Sequence, residues 1–125
     1  MIGETSITSL ARKQIAAAFA GDWSALERLY ADDVQYRDPD TRLSSRAAVL
    51  DHLRGQVEAF AGFAYTISHT YGDSAAGAVV EWNMSGEADG KPVSLDIVTA
   101  YHFLGGRIVS ERNYWDNAAL QAQLT

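Results

Sequence analysis

The sequence predicts an α+β domain in which a strongly curved antiparallel sheet packs on three N-terminal helices. Three observations predict it. Up to Phe60, apolar residues recur mostly at helical spacing. From Phe63 onward they alternate with polar ones. Two turn signals, Asp89-Gly90 and Gly105-Gly106, then divide the alternating half into hairpins. Helices gathered on one face of an antiparallel sheet make this class. With three helices to cover it, the sheet must curl into a cone, and the mouth of a cone is a natural small-molecule pocket.

Residues 5–20 read as the first helix, capped by Thr5 or Ser6, with Ile7, Leu10, Ala11, Gln14 and Ala18 on one stripe. Gln14 is its one polar member. Gly21 ends the helix, and Asp22 caps a shorter one that buries Trp23, Leu26, Leu29 and Tyr30. That helix closes through Tyr30-Ala31-Asp32-Asp33, and a strand Val34–Asp38 follows, stopped by Pro39. Alternation puts Val34, Tyr36 and Asp38 on one face. A carboxylate in an apolar row is either a buried base or the cap of the next turn, and the local sequence leaves both open.

A polar loop, Thr41–Ser45, leads to a third helix with Val49, Leu53, Val57 and Phe60 as its stripe. Phe63, Tyr65, Ile67, His69 and Tyr71 then share a strand face, and Gly72-Asp73 turn the chain. In Ala76–Ala88, Val80, Trp82 and Met84 oppose Val79, Glu81 and Asn83. Val93–Phe103 and Arg107–Asp116 complete a four-strand meander, and Asn117–Leu124 reads as a short mobile helical tail.

At 125 residues the chain is long enough for one domain, 1–125, and too short for two. A net charge of −6 without a basic run argues against nucleic acid or an anionic membrane as partner. The absence of cysteine removes disulfides, thiol nucleophiles and thiolate metal sites. No apolar run approaches the ~20 residues that span a bilayer. Arg12-Lys13 ahead of Ile15–Phe19 mimic a leader, but the stretch is short and Gln14 interrupts it, so a cytoplasmic domain is expected.

Asp116 ends the last strand behind Tyr114 and Trp115, an environment that raises a carboxylate pKa. A pocket role is favoured over a cap for the helix beginning at Asn117. Gln14 and Thr99 are neutral polar groups on apolar faces, able to donate to a ligand oxygen. Tyr36, Trp82, Tyr101 and Trp115 are the aromatic candidates for a cavity wall. His102 falls on the face opposite Leu95–Phe103, His69 reads as a core or pocket residue, and His52 as exposed. The three have no metal-ligand spacing, and there is no cofactor fingerprint.

With its elements in this order the chain resembles the nuclear transport factor 2-like superfamily. Gly21-Asp22, Leu29-Tyr30-Ala31-Asp32-Asp33 and Asp38-Pro39 resemble bacterial ketosteroid isomerase. There the aspartate before proline is the general base, which implies Asp38. That family's oxyanion hole is a tyrosine and a protonated aspartate. Gln14 and Thr99 stand at the matching positions and are weaker donors. Gly106-Arg107-Ile108-Val109, then Tyr114-Trp115-Asp116 and Leu120, are similar to SnoaL-like polyketide cyclases and, more loosely, limonene epoxide hydrolase. There the aspartate at the place of Asp116 works in acid–base catalysis, whereas Asn83 stands where the hydrolase has its second acid. The resemblance implies a cystatin-like α+β barrel, a homodimer through the outer sheet face, and a cofactor-independent acid–base enzyme. Its substrate would be a small apolar carbonyl or polyketide-like compound; a non-catalytic binding or interaction module is the alternative. Asp38 and Asp116 are the expected catalytic residues, with Gln14, Tyr36, Trp82, Thr99, Tyr101 and Trp115 around the ligand.

Overall fold

The computed structural model describes residues 6–72 and 76–125. Thr5 as a cap and Asp73 as a turn residue lie outside them. Four helices and six strands follow in the order α1 (Ile7–Ala20), α2 (Trp23–Leu29), β1 (Tyr30–Arg37), β2 (Arg42–Leu43), α3 (Arg46–Ala59), β3 (Ala64–Gly72), β4 (Gly77–Ala88), β5 (Lys91–Leu104), β6 (Arg107–Tyr114) and α4 (Asn117–Leu124). The strands form one curved, unclosed sheet in the order β2-β1-β6-β5-β4-β3.

Local chemistry explains the ends of the helices. Ser6, Asp22 and Ser45 each accept a hydrogen bond from the backbone N–H three residues on, closing an otherwise orphaned donor. Gly21 adopts φ 68° after α1, where its N–H and that of Asp22 reach back to Ala18 and Ala17. Asp89-Gly90 and Gly105-Gly106 all have positive φ, as tight hairpin turns require. β5 alternates along its length, burying Val93, Leu95, Ile97, Thr99, Tyr101 and Phe103.

The meander β3-β4-β5-β6 is antiparallel, but β1 runs parallel to β6. Tyr30 pairs with Ile108 of β6, so extended backbone begins at Tyr30 and the helix before it stops at Leu29. Pairing with β6 overrides the helical reading of Tyr30–Asp33. α1 lies on β3 and β4, α3 on β1, and α4 on β5. The C-terminal helix is therefore docked rather than a loose tail: Leu120 is buried and Gln123 bonds both backbone groups of Ser94.

Two apolar clusters result. One joins α1, α2 and α3 to β1, β4, β5 and β6; the other joins Phe63, Met84, Val93, Leu95, Ile97 and Leu120. Phe19 and Trp82 pack against both, with ring centroids 5.9 Å apart. At Gly86 a Cβ would stand 2.6 Å from the Phe63 ring, so the missing side chain seats that ring.

Of three register breaks in the sheet, the first between Tyr30 and Gln35 of β1, two redirect side chains that matter here. One between Ile67 and His69 turns His69 outward, where it meets Glu81 at 3.3 Å instead of entering the core. The other lies between Ile108 and Ser110 of β6, opposite Phe103 and His102. His102 is exposed on the outer face, as alternation requires.

Candidate active site

The β6 bulge puts Ile108, Glu111 and Asn113 all on the inner face. Register then aligns the site. Glu111 sits opposite Tyr36 on β1 and Tyr101 on β5, and Asn113 opposite Thr99. Side chains in register on adjacent strands share a face, so a row Tyr101–Glu111–Tyr36 crosses three strands.

Beside this row is a cavity of about 150 Å³ between the two apolar clusters. Its polar lining is Gln14, Tyr36, Gln56, Glu111 and Asn113; Phe19, Phe60, Phe63, Trp82 and Trp115 supply aromatic wall. The polar atoms form two directed chains. Tyr101 Oη donates to Gln14 Oε1 (2.5 Å), Gln14 Nε2 to Tyr30 Oη (3.0 Å), and Tyr30 Oη to Glu111 Oε1 (2.5 Å). From the other side Trp82 Nε1 donates to Thr99 Oγ1 (3.0 Å), Thr99 Oγ1 to Asn113 Oδ1 (2.8 Å), and Asn113 Nδ2 to Glu111 Oε2 (2.9 Å). Both chains end on the Glu111 carboxyl, with one partner at each oxygen.

Glu111 is 2% exposed. Burial pushes its carboxyl above the usual carboxylate range, against the hydrogen bonds from Tyr30 and Asn113, with Asp38 adding repulsion. Tyr36 is raised by burial first, then by Glu111 and Asp38.

Asp38 stands one layer behind. Its side chain is 2% exposed, and Oδ2 accepts from Tyr36 Oη at 2.9 Å. His52 Nε2 lies 2.9 Å from the same oxygen, and Asp40 N donates to Oδ1 at 3.0 Å. Asp38 fastens the turn after β1, as the cap reading expects, and its side chain is buried as well. It borders an outer cleft with Arg37 and Arg42, and Asn113 and Trp115 line both cleft and cavity.

Of the expected site residues, Gln14, Tyr36, Trp82 and Trp115 line the cavity. Thr99 and Tyr101 are buried behind the wall as links in the two chains. Asp116 is displaced from the site. It is exposed and caps α4 by accepting from Ala119 N at 3.0 Å, because the chain leaves the sheet after Tyr114. Tyr114 faces outward beneath Arg37 and gives Asp116 no apolar cover. Asp116→Ala should cost about 0.5–2 kcal/mol in urea unfolding and leave any cavity reaction unchanged. A lost activity at full stability would return Asp116 to the site.

Sequence reasoning missed Glu111, Asn113, Tyr30 and His52. The only signal for Glu111 was a polar residue two positions from Asn113, visible once the bulge is known. His52 was read as exposed, but its side chain is 25% exposed and turned toward Asp38. Among the described residues, no group of three or more acidic or histidine side chains could hold a metal ion.

With the geometry in place, the comparisons decide the family. A model of the SnoaL-like domain matches residues 11–111. The chain belongs to the SnoaL-like family. Its architecture is the nuclear transport factor 2-like cone. A loop-truncation variant of IdmH is 20% identical with a TM-score of 0.84, covering 94% of this chain and 98% of its own. A polyketide cyclase-like protein of Pseudomonas putida is 17% identical with a TM-score of 0.83, covering 98% and 100%. An LEH-like epoxide hydrolase of Mycobacterium tuberculosis is 19% identical with a TM-score of 0.76, covering 92% and 86%. These likenesses are of fold. No curated protein matched the chain. No helix among the described residues of this SnoaL-like chain is long and apolar enough to cross a membrane.

Proposed function

We propose that this SnoaL-like protein is a cofactor-independent acid–base enzyme acting on a small, largely apolar carbonyl or polyketide-like compound. The observation that carries the reading is Glu111, a buried carboxylate on the wall of a largely apolar cavity. A carboxylate raised by burial is a stronger base than a solvated one and is suited to removing a proton beside a carbonyl. Gln14 and Asn113 each use one amide hydrogen in the chains, which leaves the second for a substrate oxygen. Asp38, held by His52, anchors Tyr36 at the same wall. Structural neighbours described as a polyketide cyclase-like protein and an LEH-like epoxide hydrolase share this fold, which supports an enzymatic reading.

Hydrogen–deuterium exchange beside the carbonyl, followed by NMR with a panel of cyclic and aromatic ketones, tests the reading before any net reaction is known. Acceleration that falls in Glu111→Gln and Asp38→Asn supports it. Ketones that bind without accelerated exchange overturn it. That outcome favours a non-catalytic binding module, and one observation points the same way: no buried side-chain N or O among the described residues lacks a partner. The reading includes a cytoplasmic homodimer through the outer sheet face, where Val98 and Tyr114 are exposed. Sedimentation at micromolar concentration should show the dimer, and a monomer there removes it.

A further inference from the structure

The charges around the cavity do not balance. No lysine, arginine or histidine lines it, while Glu111 does. The titratable groups facing Glu111 are Tyr30 and Tyr36 of β1, Tyr101 of β5, Asp38 after β1 and His52 of α3. His52 is the one basic side chain among them, and its Nε2 lies 2.9 Å from Asp38 Oδ2. Arg37 and Arg42 border the outer cleft rather than the cavity. Glu111 is thus a buried carboxyl with no basic side chain in contact, its hydrogen-bond partners being Tyr30 and Asn113, in a place where ionisation is costly unless a counter-ion is supplied. Each of its oxygens holds one donor and keeps capacity for another. Around it, Phe19, Tyr36, Phe60, Phe63, Trp82 and Trp115 offer π systems that attract cations.

We propose that the cavity takes a small organic cation, an apolar body of about one aromatic ring bearing a protonated nitrogen that donates to Glu111. A cavity of about 150 Å³ suits that size, since a space of this order holds benzene. An anionic ligand meets Glu111 with no basic side chain on the cavity wall to offset it. A neutral one leaves the carboxylate uncompensated. The inference rests on the acid–base reading's cavity and narrows its substrate to a carbonyl compound that also bears an amine, but it requires no reaction.

Calorimetry with three isosteric probes tests it: benzylammonium, benzyl alcohol and benzoate. Benzylammonium should bind at least about tenfold tighter than benzyl alcohol, with benzoate weakest. Burial raises the Glu111 carboxyl, so at acidic pH the empty site holds a proton that the ammonium displaces. Affinity should therefore rise as pH rises through that range, with proton release visible between buffers of different ionisation enthalpy. In Glu111→Gln the preference for the ammonium should vanish. Should that variant fail to fold, the wild-type ranking and proton release decide alone. Benzyl alcohol or benzoate binding as tightly as the ammonium, an unchanged preference in Glu111→Gln, or no binding by any probe overturns the proposal. Failure of the exchange assay leaves this ranking intact, and a failed ranking leaves the exchange assay standing, so the two readings fall separately.

Discussion

Glu111→Gln is expected to slow proton exchange in the cavity by about a hundred- to ten-thousand-fold, the usual contribution of a positioned acid or base. Glutamine keeps the shape and loses the basicity, so ligand affinity for neutral compounds should change little. The same variant has a stability signature. The Glu111 carboxyl is raised in the folded protein, first by burial, so between its unfolded and folded pKa values the folded state binds more protons. Its stabilising share is complete below the unfolded value and is lost as pH rises through the folded one. Glutamine cannot ionise. The variant should therefore gain on the wild type as pH rises across that window in urea midpoints taken over a pH series. Parallel pH profiles for the two proteins would mean that Glu111 is not raised, and an unchanged exchange rate would remove it as the base.

Tyr30→Phe is expected to be the most destabilising single-atom change in the site. Tyr30 is fully buried, accepts from Gln14 and donates to Glu111. Removing its hydroxyl strands an amide N–H and a carboxylate oxygen together. Each unsatisfied buried group costs about 1–3 kcal/mol, more when charged, so the loss should reach roughly 2–5 kcal/mol. Against a domain stability of about 5–15 kcal/mol this is a large fraction. Tyr101→Phe strands only Gln14 Oε1 and should cost about 1–2 kcal/mol. Equal losses for the two, read from urea unfolding, would show that the chain does not converge on Glu111. Tyr30→Phe also removes a donor that holds the Glu111 carboxyl down, so the pH window above should move upward.

The sequence by itself determined most of the elements, though not the start of β1 or the short β2, and several residues of the pocket's lining. In β5, apolar residues alternate in step with the pleat, and no bulge intervenes before Phe103. The glycine turns demanded positive φ, and Asp38 shared a row with Val34 and Tyr36; all three side chains are buried. These features are local, set by residues a few positions apart. Tertiary structure alone decided the chemistry. One extra residue in β6 reverses the parity of alternation, turning Glu111 inward and Tyr114 out, and only pairing with β5 reveals it. The flank of α3 that carries His52 meets Asp38 because α3 lies against β1, which the stripe of Val49 and Leu53 does not encode. Asp116 read as a pocket acid until the chain's exit from the sheet made it a helix cap. Side-chain direction in a sheet depends on cumulative register, and register is a property of two strands at once.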